Sequence, residues 1–95
     1  MRFEWDEEKS RLNRKKHGVS FQVAREVFED PFRLTIPDQT VEGEERSWTI
    51  GRLENLVILV VVHVAWDDRG EEVIRIISAR KATPRERRFY EEADR

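Results

Sequence analysis

The sequence predicts an α+β fold: a twisted antiparallel sheet with two N-terminal helices on one face and a C-terminal helix. Three observations predict it. Pattern and punctuation give the element order β-α-α-β-β-β-β-α. The segment Leu56–Val64, "LVILVVVHV", carries almost no polar residue on either side, which suits a central strand covered on both faces. Finally, Gly18 and Asp30-Pro31 are two helix stops that come before the strand-rich part of the chain.

The elements follow in order. "RFEW" (Arg2 to Trp5) alternates polar and apolar residues and reads as a short strand. Asp6 suits an N-cap, and Glu7 and Glu8 place carboxylates in a first helical turn, where the helix dipole favours them. Gly18 ends this helix behind Lys15, Lys16 and His17. Ser20 is a second N-cap, and Phe21, Ala24, Val27 and Phe28 recur on one helical face through Glu29. "FRLTI" (Phe32 to Ile36) begins a strand, and Pro37 to Glu45 reads as an acidic loop containing glycine. Three more strands, "RSWTIGRL", "LVILVVVHV" and "EVIRIISARK", are separated by the turn signals "EN" and "DDRG". Thr83, Pro84 and Glu86 form a capping box with proline at the first helical position, where its missing N–H costs nothing.

Ninety-five residues without linker or repeat predict a single domain over 1–95. The absence of cysteine excludes a disulfide framework and a thiolate metal site, and it fits a cytoplasmic protein. The N-terminus is charged from its second residue, and the longest apolar run, Leu56 to Trp66, is about half of a membrane span, so no membrane association is expected. The formal net charge of −2 is unevenly spread. Pro31 to Glu72 holds four basic and nine acidic residues, whereas Val73 to Arg95 holds seven basic and four acidic, so local basic surface coexists with an acidic mean.

Three regions could carry chemistry. "RKKHGVSF" (Arg14 to Phe21) gathers cations at a helix end, where each stabilises the dipole by roughly 0.3–1 kcal/mol without a ligand; the alternative is an anion site. In the sheet, a two-residue hairpin turn at Glu54-Asn55 would pair Trp48 with Val61 and Arg46 with His63. Arg46, Trp48, Ile50 and Arg52 would then share a face with His63. An even-numbered turn at "DDRG" extends that face to Ile74, Ile76, Ser78 and Arg80; an odd one presents Arg75 and Lys81 instead. Arg88 and Tyr90 of the last helix either belong to an ordinary core-and-solvent helix or line a cleft, with tyrosine stacking on a base and arginine holding phosphate. There is no P-loop, GxGxxG, HExxH or cysteine cluster, and two histidines cannot build a histidine-rich metal centre. A nuclease of this sequence would use cations and general acid/base groups, with no metal and no cofactor.

The stretches "FEWDEEK", "KHGVSF", "VVVH" and "RIISARKAT", with "ER" and "YE" in the final helix, resemble the BrnT family of bacterial toxins from about Phe3 to Glu91. The family pattern marks Trp5, Asp6, Asn13, Lys16, His17, Gly18, Arg46, Gly51, His63, Ser78, Arg80 and Tyr90. Members often carry an arginine close behind the strand histidine; here Arg69 lies six residues on and receives no role. The resemblance implies a RelE-like fold and a ribonuclease that inhibits translation. It also implies a BrnA-type ribbon-helix-helix antitoxin as partner, operator DNA bound only through that complex, and a toxin–antitoxin heterotetramer. Arginine keeps its proton at neutral pH and suits charge stabilisation, whereas histidine titrates there. Arg46 and Arg80 are therefore expected on the phosphate and His63 in proton transfer. Lys15, Lys16, His17, Arg52, Lys81, Arg88 and Tyr90 are expected to contact RNA. The rival expectation is a non-catalytic module whose basic sheet face docks a partner helix.

Overall fold

In the computed structural model, which describes residues 1–93, five strands form one sheet around a central apolar strand. Arg95, counted above among the basic residues, lies outside the described residues. The elements are β1 (Arg2–Glu4), α1 (Glu7–His17), α2 (Phe21–Ala24), β2 (Leu34–Val41), β3 (Glu44–Arg52), β4 (Ile58–Asp68), β5 (Glu71–Lys81) and α3 (Pro84–Glu92), in the expected order. The sheet order is β1-β5-β4-β3-β2, which puts the apolar β4 in the middle.

The caps form as their sequences dictate. Asp6 accepts the Lys9 N–H, Ser20 the Val23 N–H, and Thr83 and Glu86 complete a reciprocal capping box. Gly18, at φ 76°, donates its N–H to the Arg14 carbonyl, so the helix stops in a left-handed conformation that glycine adopts without strain.

Several expectations are corrected. The sheet is mixed, because β1 pairs parallel with β5 while the other strands run antiparallel. The alternation in "RFEW" specifies which side chains face the core but says nothing of strand direction. The predicted loop Pro37–Glu45 is instead mostly strand, closed by a turn at Glu42 and Gly43, both with positive φ. Pro37 is tolerated because β2 is an edge strand, with a register shift between Pro37 and Thr40. The second helix tightens into a 3-10 turn over Arg25–Glu29.

The hairpin between β3 and β4 decides the site. Its loop holds three residues, Glu54, Asn55 and Leu56, with Leu53 N–H bonded to the Val57 carbonyl and Leu56 at φ 73°. This moves the register by one residue from that expected. Ser47 pairs with His63, Trp48 with Val62 and Ile50 with Val60. Because side chains alternate, the slip puts His63 on the opposite face from Arg46.

One face of the sheet packs Leu59, Val61, Ile74, Ile76 and Ala79 against Phe21, Ala24, Val27 and Phe28. Gly51 lets these layers approach, since a Cβ there would lie 2.6 Å from Val27 Cγ1. On the other face, Ile50, Ile58 and Val60 pack with Tyr90 of α3. Beyond α3 this second face is partly open: Trp48, Val62, Arg75 and Ser78 are half-buried and Trp66 is exposed.

Candidate active site

The open face is where the guanidinium groups gather. The two-residue turn Arg69-Gly70, with φ 53° and 88°, sets Asp68 opposite Glu71 and Val64 opposite Arg75. A register shift in β5 then leaves Ile77 as an extra residue, since His63 pairs with Ile76 but Val62 with Ser78. Beyond this bulge Val60 faces Arg80. Arg46, Trp48, Arg75, Ser78 and Arg80 therefore share one face. The even turn and the bulge together present both Arg75 and Arg80, which sequence reasoning treated as exclusive alternatives.

Each arginine has a distinct environment. Arg80 lies over the Trp48 ring, with Cζ 5.8 Å from its centroid, and grips Glu86 through two hydrogen bonds of 2.7 and 2.9 Å. The Arg80 side chain, aided by the Thr83 N–H, holds the Glu86 carboxyl down at about 2, against the opposing effect of burial. Arg75 lies over the Trp66 ring at 5.6 Å and pairs with Glu44. Arg46 is half-buried, and its Nε is buried without a hydrogen-bond partner. Beside it is a cavity of about 370 Å³ lined by Asp6, Lys9, Glu44, Arg46 and Arg75 along with Ile76 and Ile77. The cavity thus combines three cations with two carboxylates, and an unused guanidinium N–H lies among its lining residues. Such an arrangement can receive an anion and exchange protons with it.

His63 is elsewhere. It is 3% exposed, stands edge-on to Phe28 at 5.1 Å, and shares a 2.8 Å hydrogen bond between Nε2 and the Thr49 hydroxyl. Burial pushes its pKa down from 6.5 to about 4, so it is a neutral ring inside the helix-covered core. The expectation that it moves protons beside Arg46 and Arg80 is corrected by this placement. Tyr90 is corrected likewise. It is 4% exposed, and its hydroxyl donates to Asp30, so it cannot stack on a base. Asp30 also accepts the Phe32 and Arg52 N–H groups. Burial alone would raise its pKa, but the Tyr90 hydroxyl and these N–H donors outweigh it and hold the carboxyl below the usual range. Asp30 therefore pins α3 to the sheet, a role hidden behind its reading as a helix stop.

The other expected contacts are dispersed. Lys15 and Lys16 are exposed and His17 half-buried at the end of α1, and none of them lines the arginine cavity. Arg52 is exposed at the far end of the open face, in a groove with Leu56, Ile58, Arg87 and Tyr90. Lys81 pairs with Leu59, which places it on the helix side of β5, and Arg88 is exposed on α3. Sequence reasoning missed Glu44, Lys9 and Trp66. Glu44 lay in a segment read as loop, and only the turn at Glu42-Gly43 brings it into β3 on the face of Arg46. No group of three His, Cys, Asp or Glu side chains placed to hold a metal ion occurs among the described residues.

The family model described as ribonuclease toxin, BrnT, of type II toxin-antitoxin system matches residues 5–86. No curated protein matches the chain. Among solved structures, the ribonuclease toxin BrnT of Brucella abortus is similar at 30% identity, covering 87% of this chain and 97% of that one with a TM-score of 0.66. Residues 5–86 include β3 and β5, which carry the arginines, and the capping box that restrains one of them, and on this match the chain belongs to the BrnT family of type II toxin–antitoxin ribonuclease toxins.

Proposed function

We propose that the chain is a single-domain, RelE-like endoribonuclease that works without a metal and inhibits translation by cutting RNA in the cytoplasm. The observation that carries this reading is the cavity shared by Arg46 and Arg75, with the unpartnered Arg46 Nε and with Arg80 on the same open sheet face. RNA cleavage through the 2′-hydroxyl adds negative charge to the phosphorus centre, and permanently protonated guanidiniums placed where that charge develops lower the barrier. The donor set supports metal-free chemistry, since Glu44 is paired with Arg75, Glu86 with Arg80, and Asp6 caps α1, rather than the three carboxylates being grouped together. Trp48 and Trp66 offer ring surface to flanking bases, with arginines already stacked on them. Arg52 and Arg88, and Lys15, Lys16, His17 and Lys81 on the other elements, extend the cationic surface for the RNA backbone. A BrnA-type ribbon-helix-helix antitoxin that covers the arginine face would silence the toxin, and the same complex would bind operator DNA.

Expression of the chain alone in bacteria should arrest growth and fragment RNA, and a coexpressed BrnA-type protein should relieve both. Arg46→Ala should reduce cleavage by roughly 10²- to 10³-fold, the usual loss when one charge-stabilising donor is removed. Intact RNA during growth arrest, with the arginine face still needed for partner binding, would select the non-catalytic docking module instead.

A further inference from the structure

Resting on the ribonuclease reading, we propose that Glu44 is the group that accepts the 2′-hydroxyl proton of the RNA. A cleavage centre built on arginines lacks a proton acceptor, because a guanidinium has no lone pair to offer. His63 cannot supply one, being buried on the other face of the sheet. Three carboxylates remain near the arginines. Both Glu86 oxygens are engaged by Arg80, and one also accepts the Thr83 N–H. Asp6 is committed as the N-cap of α1. Glu44 pairs with Arg75 through Oε2 and keeps Oε1 without a partner, and it is the cavity carboxylate that lies on the strand face of Arg46. It lines the same cavity as Arg46, Arg75 and Lys9, and the left-handed Glu42-Gly43 turn fixes it as the first residue of β3. Glu44 and Arg46 lie two residues apart on one strand face, about 7 Å along the chain, a span that a ribose and its 3′-phosphate can bridge.

The exchange is balanced. An RNA phosphate entering the cavity bonds to Arg46 and draws Arg75 from Glu44. The 2′-oxygen gives its proton to Glu44 and forms a bond to phosphorus. The bond from phosphorus to the 5′-oxygen breaks, leaving a 2′,3′-cyclic phosphate. The departing oxygen takes a proton from water, and Glu44 returns its proton to the hydroxide so formed.

The test measures single-turnover cleavage of a short RNA and binding of a 2′-deoxy analogue that cannot be cut. Glu44→Gln should cut roughly 10²- to 10⁴-fold more slowly while binding the analogue within a fewfold of wild type, and Glu44→Asp should recover part of the rate. The rise of the wild-type rate with pH on the acid side should flatten in Glu44→Gln. If wild type cuts RNA and Glu44→Gln cuts as fast with the same pH profile, Glu44 is excluded and the ribonuclease reading stands. If wild type leaves RNA intact, both fall.

Discussion

His63 is held neutral by burial, at about 4 against 6.5 for the free side chain, with Thr49 as its hydrogen-bond partner. An unfolded chain therefore takes up a proton near pH 6.5, whereas the folded one does so only near 4. Stability is full above pH 6.5 and falls as the pH drops toward 4, by roughly 3 kcal/mol at 1.36 kcal/mol per pH unit. Glu86, depressed from 4.5 to about 2, contributes stability that begins to fall below about 4.5, at the acid end of that window, and is gone near 2. His63→Gln should flatten the stability curve between pH 6.5 and 4, measured by urea unfolding at a series of pH values; an unchanged slope would show that the histidine is not the group titrating there. The residue types needed for this chemistry were visible in the sequence. Their contacts were not, because whether a histidine meets phosphate or Phe28 depends on one step of strand register.

Register is a property of elements, and two irregularities set it here. The β3–β4 loop places Leu56, 70% exposed, at φ 73°, a conformation that costs a side chain with a Cβ about 1–2 kcal/mol. Replacing Leu56 by glycine relieves that strain while adding about 0.5–1 kcal/mol of backbone entropy loss, a net stabilisation of roughly 0.5–1 kcal/mol. The urea midpoint should rise with an unchanged slope, and a fall would mean that the leucine side chain holds the loop. Glycine at that position would have signalled the three-residue turn; leucine concealed it, and "EN" suggested two residues instead. The bulge at Ile77 left no mark in the sequence either. The capped helices were readable because their signals are local: Asp6, Gly18, Ser20 and the box of Thr83 and Glu86 each act within one turn.

At the scale of the molecule, a chain of formal charge −2 presents Arg46, Arg52, Arg75 and Arg80 on one partly open face. Binding of single-stranded RNA to that face should weaken with salt, each phosphate contact contributing about 0.7 to the log–log slope. Removing Arg46 and Arg75 together should lower the slope by about 1.4, read by fluorescence anisotropy across a salt series. An unchanged slope would move the RNA to another surface, such as the end of α1 with Lys15, Lys16 and His17. Helix limits, the central strand, the order of elements and the residue types of the site were determined by the sequence alone, since propensity, capping and apolar periodicity act over a few neighbours. Only the tertiary structure decided that β1 runs parallel to β5, that His63 turns inward, that Glu44, Arg46 and Arg75 line one cavity, and that Arg80 shares their face of the sheet. Those outcomes depend on pairings between distant strands, where a single inserted residue exchanges the two faces of a sheet.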